Sequence, residues 1–116
     1  MSSEPLALVV AVKALDGLSM RMAAIAQNVA NAGNPRFQSV VVNFENALGA
    51  AAGRGTDAVE HMPITFQAGK VFGESDDRRL DLELADAART AGRYAALTDM
   101  IGQRMALASL AIGGSR

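Results

Sequence analysis

Few residues in this sequence could do chemistry. His61 is the only histidine, so a Ser-His-Asp relay would have to use it, yet no G-x-S-x-G elbow or comparable nucleophile setting accompanies it. A loop histidine exposed to solvent or held by a hydrogen bond is the expectation. Asp76 and Asp77 are suited to a hard cation, but Arg78 and Arg79 follow directly and would repel one. A capped helix start accounts for the four residues better. The stretch GAAAGRG, residues 49–55, lacks the Lys-Ser/Thr end of a phosphate-binding loop and the strand-to-helix setting of a dinucleotide site. Met20, Met22, Met100 and Met105 fall in helical patterns, where methionine fills cores and interfaces. No metal, cofactor or catalytic constellation emerges, and an enzyme is not expected.

Composition narrows the classes further. The 116 residues are one domain's length, with 11 Lys+Arg against 12 Asp+Glu and a net charge of -1. That balance supplies no sequence-wide attraction to nucleic acid or anionic lipid. With no cysteine, the fold is independent of the redox state of its compartment. The apolar run LALVVAVKAL, 6–15, resembles a secretory h-region, but Glu4 stands where a basic segment belongs, and Lys13 and Arg21 break the apolar stretch with charge. A cleaved signal is therefore not expected, and no run approaches the roughly twenty residues that span a bilayer.

The elements that must position any site are two long helices. From Pro5 to Asn31, the residues Leu8, Val12, Leu15, Ser19, Met22, Ala26 and Val29 step by fours and threes, the seam of a helix that meets another helix. Ser2 or Ser3 would cap it, and Gly33 with Pro35 would end it. The last third repeats the pattern through Leu80, Leu84, Ala87, Ala91, Tyr94, Thr98, Ile101, Met105, Ala108 and Ile112. Ser75 or Asp76 would cap this helix, and Gly113 and Gly114 would stop it. At about 1.5 Å per residue the helices are roughly 40 and 50 Å long. Between them, VVVNF (40–44) and ITFQAGKVF (64–72) have the composition of short strands, the second broken at Ala68 and Gly69, and GAAAGRG reads as a mobile loop. The expected fold is mainly α: an antiparallel, coiled-coil-like hairpin of the terminal helices around a short irregular or β middle segment. Residues 1–36 hold the first helix and its Asn-rich turn, 37–75 the middle and 76–116 the second helix, all in one structural unit.

The apolar arcs are wider than one seam. Ala11, Leu18 and Ile25 run beside the first, and Leu97 and Ala111, with Met100 and Leu107 adjacent, beside the second. A two-helix hairpin covers about one seam per helix. The seam residues Leu8, Val12, Leu15, Met22, Val29, Leu84, Tyr94, Ile101, Met105 and Ile112 are assigned to pairing within the chain. Leu18, Ile25, Leu97, Met100 and Leu107 are assigned to neighbouring subunits. Each Leu or Met left wet forfeits roughly 1.5 to 3 kcal/mol, so neighbours are the expected cover. The alternative is that the middle segment folds back as a lid.

The first helix closes on a dense amide cluster, Asn28, Asn31 and Asn34, ahead of Pro35. Asparagine can adopt left-handed conformations and bond free carbonyls, proline extends the residue before it, and Phe37 and Phe44 offer apolar anchors beyond the bend. This stretch, NVANAGNPRFQSVVVNFENAL, resembles the N-terminal signature of the bacterial flagellar basal-body rod protein family, N-I-A-N-A-D-T-P-G-Y-K-A followed by an acidic-aromatic stretch. Asn28, Ala30, Asn31, Ala32, Pro35 and Phe37 fall on matching positions. LDLELADAARTAGRYAAL, 80–97, is similar to the family's C-terminal signature V-D-L-E-x-E-M with a later tyrosine, through Leu80, Asp81, Leu82, Glu83 and Tyr94. Departures are Gly33, Asn34 and Arg36 in the turn, Arg78 and Arg79 where asparagines are usual, and Ala85 and Asp86 in place of Glu-Met. The short length, the VNFENAL stretch, and Thr56 followed by His61 look most like the family's proximal members.

The resemblance implies a structural subunit of the basal body, exported without a cleaved signal and built into a helical tube across the periplasm that conducts later subunits and transmits torque. Its implied partners are copies of itself, other rod proteins of the FlgC and FlgF kind, the adaptor FliE and the membrane ring. It implies no cofactor, nucleic acid or small-molecule substrate. Asn28, Asn31, Pro35, Phe37 and Phe44 are expected to set how the middle segment leaves the helices and touches the next subunit. The competing class is a cytoplasmic helical-hairpin adaptor or chaperone that takes a partner helix in its apolar groove.

Overall fold

A computed structural model of the chain describes residues 4–69 and 76–114. In order, the elements are α1 (Glu4–Ala30), β1 (Val40–Val41), α2 (Glu45–Ala52), α3 (Thr56–Glu60), β2 (Gln67–Ala68) and α4 (Asp76–Gly114). The fold is mainly helical, and the two long helices form an antiparallel hairpin. At one end Asn28 meets Glu83, and at the other Pro5 and Leu8 share a cleft with Arg104, Met105 and Ala108. The molecule measures 63 × 26 × 14 Å.

Local sequence explains most boundaries. α1 ends where Asn31 turns its amide Nδ2 back onto the Gln27 carbonyl at 2.8 Å, a carbonyl that also accepts the Asn31 backbone N–H at 3.2 Å. Asn34 then accepts the Arg36 N–H on Oδ1 at 3.0 Å, a side-chain turn that Pro35 favours by excluding the helical form of Asn34. The expected caps at Ser2, Ser3 and Ser75 lie outside the described residues. α4 runs through Gly113 and Gly114 instead of stopping before them.

The middle segment departs from expectation. The two strands form as two-residue pieces paired antiparallel, Val40 with Ala68 and Val41 with Gln67, so Ala68, expected at a break, is paired, and residues 70–72 of the second expected strand lie outside the described residues. GAAAGRG is not a loop: α2 takes its first four residues, Gly53 caps that helix, and Gly55, at φ 110°, precedes α3 in a conformation few other residues adopt. Alanine is the best helix former, and here it also packs, since Ala51 is fully buried.

These helices fold back over α1, and the lid alternative is the one the molecule adopts. Leu18 and Ala24 of α1, Val42, Phe44, Leu48, Ala51, Val59 and Met62 make the buried cluster, with Leu97 of α4 packed on its flank. Leu18, Ile25 and Phe44, expected to reach neighbouring subunits, are instead inside the chain's own core at 3%, 6% and 4% exposure. The physical reason is that α2 and α3 are compact helices whose apolar sides fit the α1 face that a loop would have left open. The approach is close enough to need glycine: a Cβ on Gly17 would sit 2.6 Å from the Phe44 ring.

With the middle segment on one side of α1, α4 takes what remains, and its seam turns by about one residue. Arg79 and Thr90 are buried and Glu83 and Leu97 half-buried, whereas of the expected seam residues Ile101 is half-buried but Leu84, Tyr94, Met105 and Ile112 are exposed. On α1, Leu8, Leu15, Met22 and Val29 are half-buried and Val12 is exposed. Apolar periodicity could not foresee this, because the inward face of α4 is partly polar and is satisfied by groups from distant parts of the chain.

Candidate functional site

The amide cluster resolves into three jobs, of which Asn28 has the largest. Its side chain is 2% exposed and meets the backbone of Val40 at two points: Nδ2 donates to the carbonyl and Oδ1 accepts the N–H, both at 2.8 Å. The amide thus pairs with β1 as a neighbouring strand would. The second Nδ2 hydrogen goes to Glu83 Oε1 at 3.0 Å, so one side chain ties α1, β1 and α4 together. Desolvation by burial raises the Glu83 pKa above the usual carboxylate value and Asp86 adds to it, while the Asn28 hydrogen bond and Arg79 pull the other way. Phe37 is half-buried with the Arg79 guanidinium 5.9 Å from its ring centre, which fastens the turn to the start of α4. Pro35 is exposed.

Arg21 makes a second clasp. Its guanidinium donates to both carboxylate oxygens of Glu45 at 2.7 Å and to the Val42 carbonyl, and lies 4.9 Å from the centre of the Phe44 ring. This bidentate contact holds the Glu45 carboxyl down at about 2, chiefly through the hydrogen bonds from Arg21. The sequence marked Arg21 only as an interruption of an apolar run, and nothing in it pointed to the close approach at Gly17.

Two clefts flank these clasps. A polar cleft of about 330 Å³ lies between α1, β1 and α4, bordered by Arg21, Arg89 and Arg93 and by Glu45, Glu83 and Asp86. Arg21 and Arg89 are each in an ion pair, so the cleft presents balanced charge. An apolar groove of about 720 Å³ opens between α1, α2 and α4, lined by Val10, Leu18, Phe44, Leu48, Leu97 and Met100 among others. Beyond it α4 carries Met105, Leu107, Leu110 and Ile112, each between 61% and 70% exposed. Of the residues expected to meet neighbours, Met100 and Leu107 are exposed, while Leu97 half-covers the chain's own core.

The candidates for chemistry stay apart. His61 caps α3, its Nδ1 2.8 Å from the Asp57 carbonyl, at the surface. Among the described residues, no three His, Cys, Asp or Glu side chains gather in a metal-binding group. What the arrangement offers is contact surface: two polar clasps that fix the shape and an α4 end whose large apolar side chains are exposed. No family model matches this sequence, and no curated protein or solved structure is significantly similar to it.

Proposed function

We propose that the chain is a self-assembling structural subunit, a proximal-rod component of the FlgB kind in the flagellar basal body. The observation that carries the assembly reading is the end of α4. From Met105 to Gly114 the helix has no charged residue, and its apolar side chains point to every side. A helix that is apolar all round belongs in a buried setting, and at about 15 Å this one is too short for a bilayer; among the described residues no helix is long and apolar enough to cross a membrane. Neighbouring subunits supply the missing cover.

The rod reading rests on the resemblance of the two signatures, together with the work that the amides do. Asn28, Asn31 and Asn34 fix how the middle segment leaves the helices, the role that a helical tube needs to be the same in every copy. On this reading the subunit is exported uncleaved, joins other rod proteins and the adaptor FliE, and stands in the periplasm-spanning rod.

The test is Leu107→Asp with Leu110→Asp. Both side chains are exposed, so the isolated fold should keep its helicity, while assembly and motility of the producing bacterium should be lost. Motile cells carrying both changes would overturn the proposal. A second reading, an adaptor that binds a partner helix, is favoured by the open apolar groove. It requires a monomer that stays monomeric at high concentration, which sedimentation decides.

A further inference from the structure

α1 packs against one strip of α4 and leaves the next strip largely uncovered, and we infer that a second copy docks there: two α4 helices pair side by side, antiparallel, about a two-fold axis. The inference rests on the self-assembly reading above and names one of its contacts. The strip is the heptad seam of the sequence. Leu84, Ala91, Tyr94, Thr98, Met105 and Ala108 are exposed and Ala87 and Ile101 half-buried, while Glu83, Thr90 and Leu97, each one place earlier than a seam residue, turn inward. From Leu84 to Ala108 the strip runs about 36 Å. It carries no charge, because Asp86, Arg89, Arg93, Asp99 and Arg104 all lie off it. An uncharged strip with a seven-residue repeat is suited to a partner helix.

The order of side chains along the strip selects the occupant. Run against itself in the register that sets Leu84 opposite Ala108, it also sets Ala87 opposite Met105, Ala91 opposite Ile101 and Tyr94 opposite Thr98, so each layer matches a larger side chain with a smaller one. Layers that alternate in this way fill the space between two helices. Parallel pairing would instead stack Leu84 on Leu84 and Tyr94 on Tyr94, and leave voids at Ala87 and Ala91. Thr98 is ready for burial, because its hydroxyl already donates to the Tyr94 carbonyl at 2.8 Å. On the flank of the strip away from α1, Ala88, Ala95 and Gly102 recur every seven residues, and a Cβ on Gly102 would meet open space, so the two helices can approach closely. The incoming Leu84 also has a hole to enter. A cleft of about 230 Å³ opens at Ala108, bordered by Pro5 and Leu8 of α1, by Met105 and by Arg104, which has its own partner, and the register delivers Leu84 of the second copy to it. A reciprocal contact closes as a pair. Leu107 and Leu110 lie off the strip and stay available for further growth.

The absence of cysteine allows a direct test. The full-length Leu84→Cys and Ala108→Cys proteins, both changed at exposed positions, are mixed and mildly oxidised. A disulfide needs Cα atoms about 4.4–6.8 Å apart, so it reports the register. The expected product is the mixed 84–108 dimer, in large excess over 84–84 and 108–108 dimers. Dominant same-position dimers, the product of parallel pairing, or oligomers that form without any 84–108 bond, overturn the inference and leave self-assembly standing. In sedimentation the unaltered chain should form a dimer. Ala91→Glu with Ala95→Glu, both at exposed positions and both to a good helix former, should weaken it roughly ten-fold or more with helicity kept. Leu107→Asp with Leu110→Asp should leave it intact. A dimer that survives the first pair of changes, or is lost with the second, overturns this contact and leaves assembly through the α4 end standing. A chain that gives no cross-link and remains monomeric overturns both.

Discussion

At the root of the hairpin, Asn28 joins three elements by its hydrogen bonds, and Asn28, Ser39, Arg79 and Thr90 are buried although polar. At the far end of α4 the side chains are apolar and wet. The same helix passes through both regions, so helix propensity does not separate them. The root has three layers meeting over Val40, whereas the large side chains of α4 beyond its cleft with Pro5 and Leu8 are exposed. Stability is therefore concentrated at the root, and exposed apolar surface at the α4 end.

The largest expected effect pits the two regions against each other. Phe44→Ala, which empties the buried cluster, should cost about 3–5 kcal/mol in denaturant unfolding, a large part of a small domain's total. Leu107→Ala should change the isolated chain's unfolding by less than about 0.5 kcal/mol, because the side chain is 66% exposed. Equal costs at the two positions would erase the contrast.

Next comes the polar lock. Asn28→Leu is close in size but leaves the Val40 N–H and carbonyl and the Glu83 carboxylate without their partner, a loss of about 2–4 kcal/mol. Hydrogen exchange should show it first at Val40, whose amide opens while the middle of α1 stays protected.

The smallest effects are electrostatic and have opposite signs. The Glu45 pKa is lowered to about 2, so its contribution is present above the ordinary value of 4.5 and is lost as pH falls towards 2. With the side chain 52% exposed, solvent screening leaves about 1 kcal/mol, and Glu45→Gln should remove that acid-side loss. The Glu83 pKa is raised, so stability is fully present below the ordinary value and declines as pH rises through the shifted one. Glu83→Gln should flatten that decline in a pH series of thermal melts, and an unchanged profile would show that the carboxylate is not desolvated at the joint.

Much of the scaffold was legible. Both long helices, their antiparallel pairing and the amide-rich turn follow from apolar spacing and stop residues. Strand pairing falls within the two expected stretches, at Val40–Val41 and Gln67–Ala68, although Ala68 was expected at a break. What escaped was the middle segment: a run of glycine and alanine has little periodic signal, and only contact with α1 shows that Ala51 and Leu48 are core. The same contact moved Leu18, Ile25 and Phe44 from expected interface to interior. At the site, Asn28 was singled out by its position, but its reach to Val40 and Glu83 depends on a strand pairing and a helix register that lie far away in sequence.

By itself the sequence determined that two rods would form and that they would carry more apolar surface than one seam, because helical periodicity and stop signals act over a few residues. Only the tertiary structure decided which surface was surplus. Burial is shared among all elements that compete for one face, and once α2 and α3 had covered α1, the uncovered remainder lay at the end of α4.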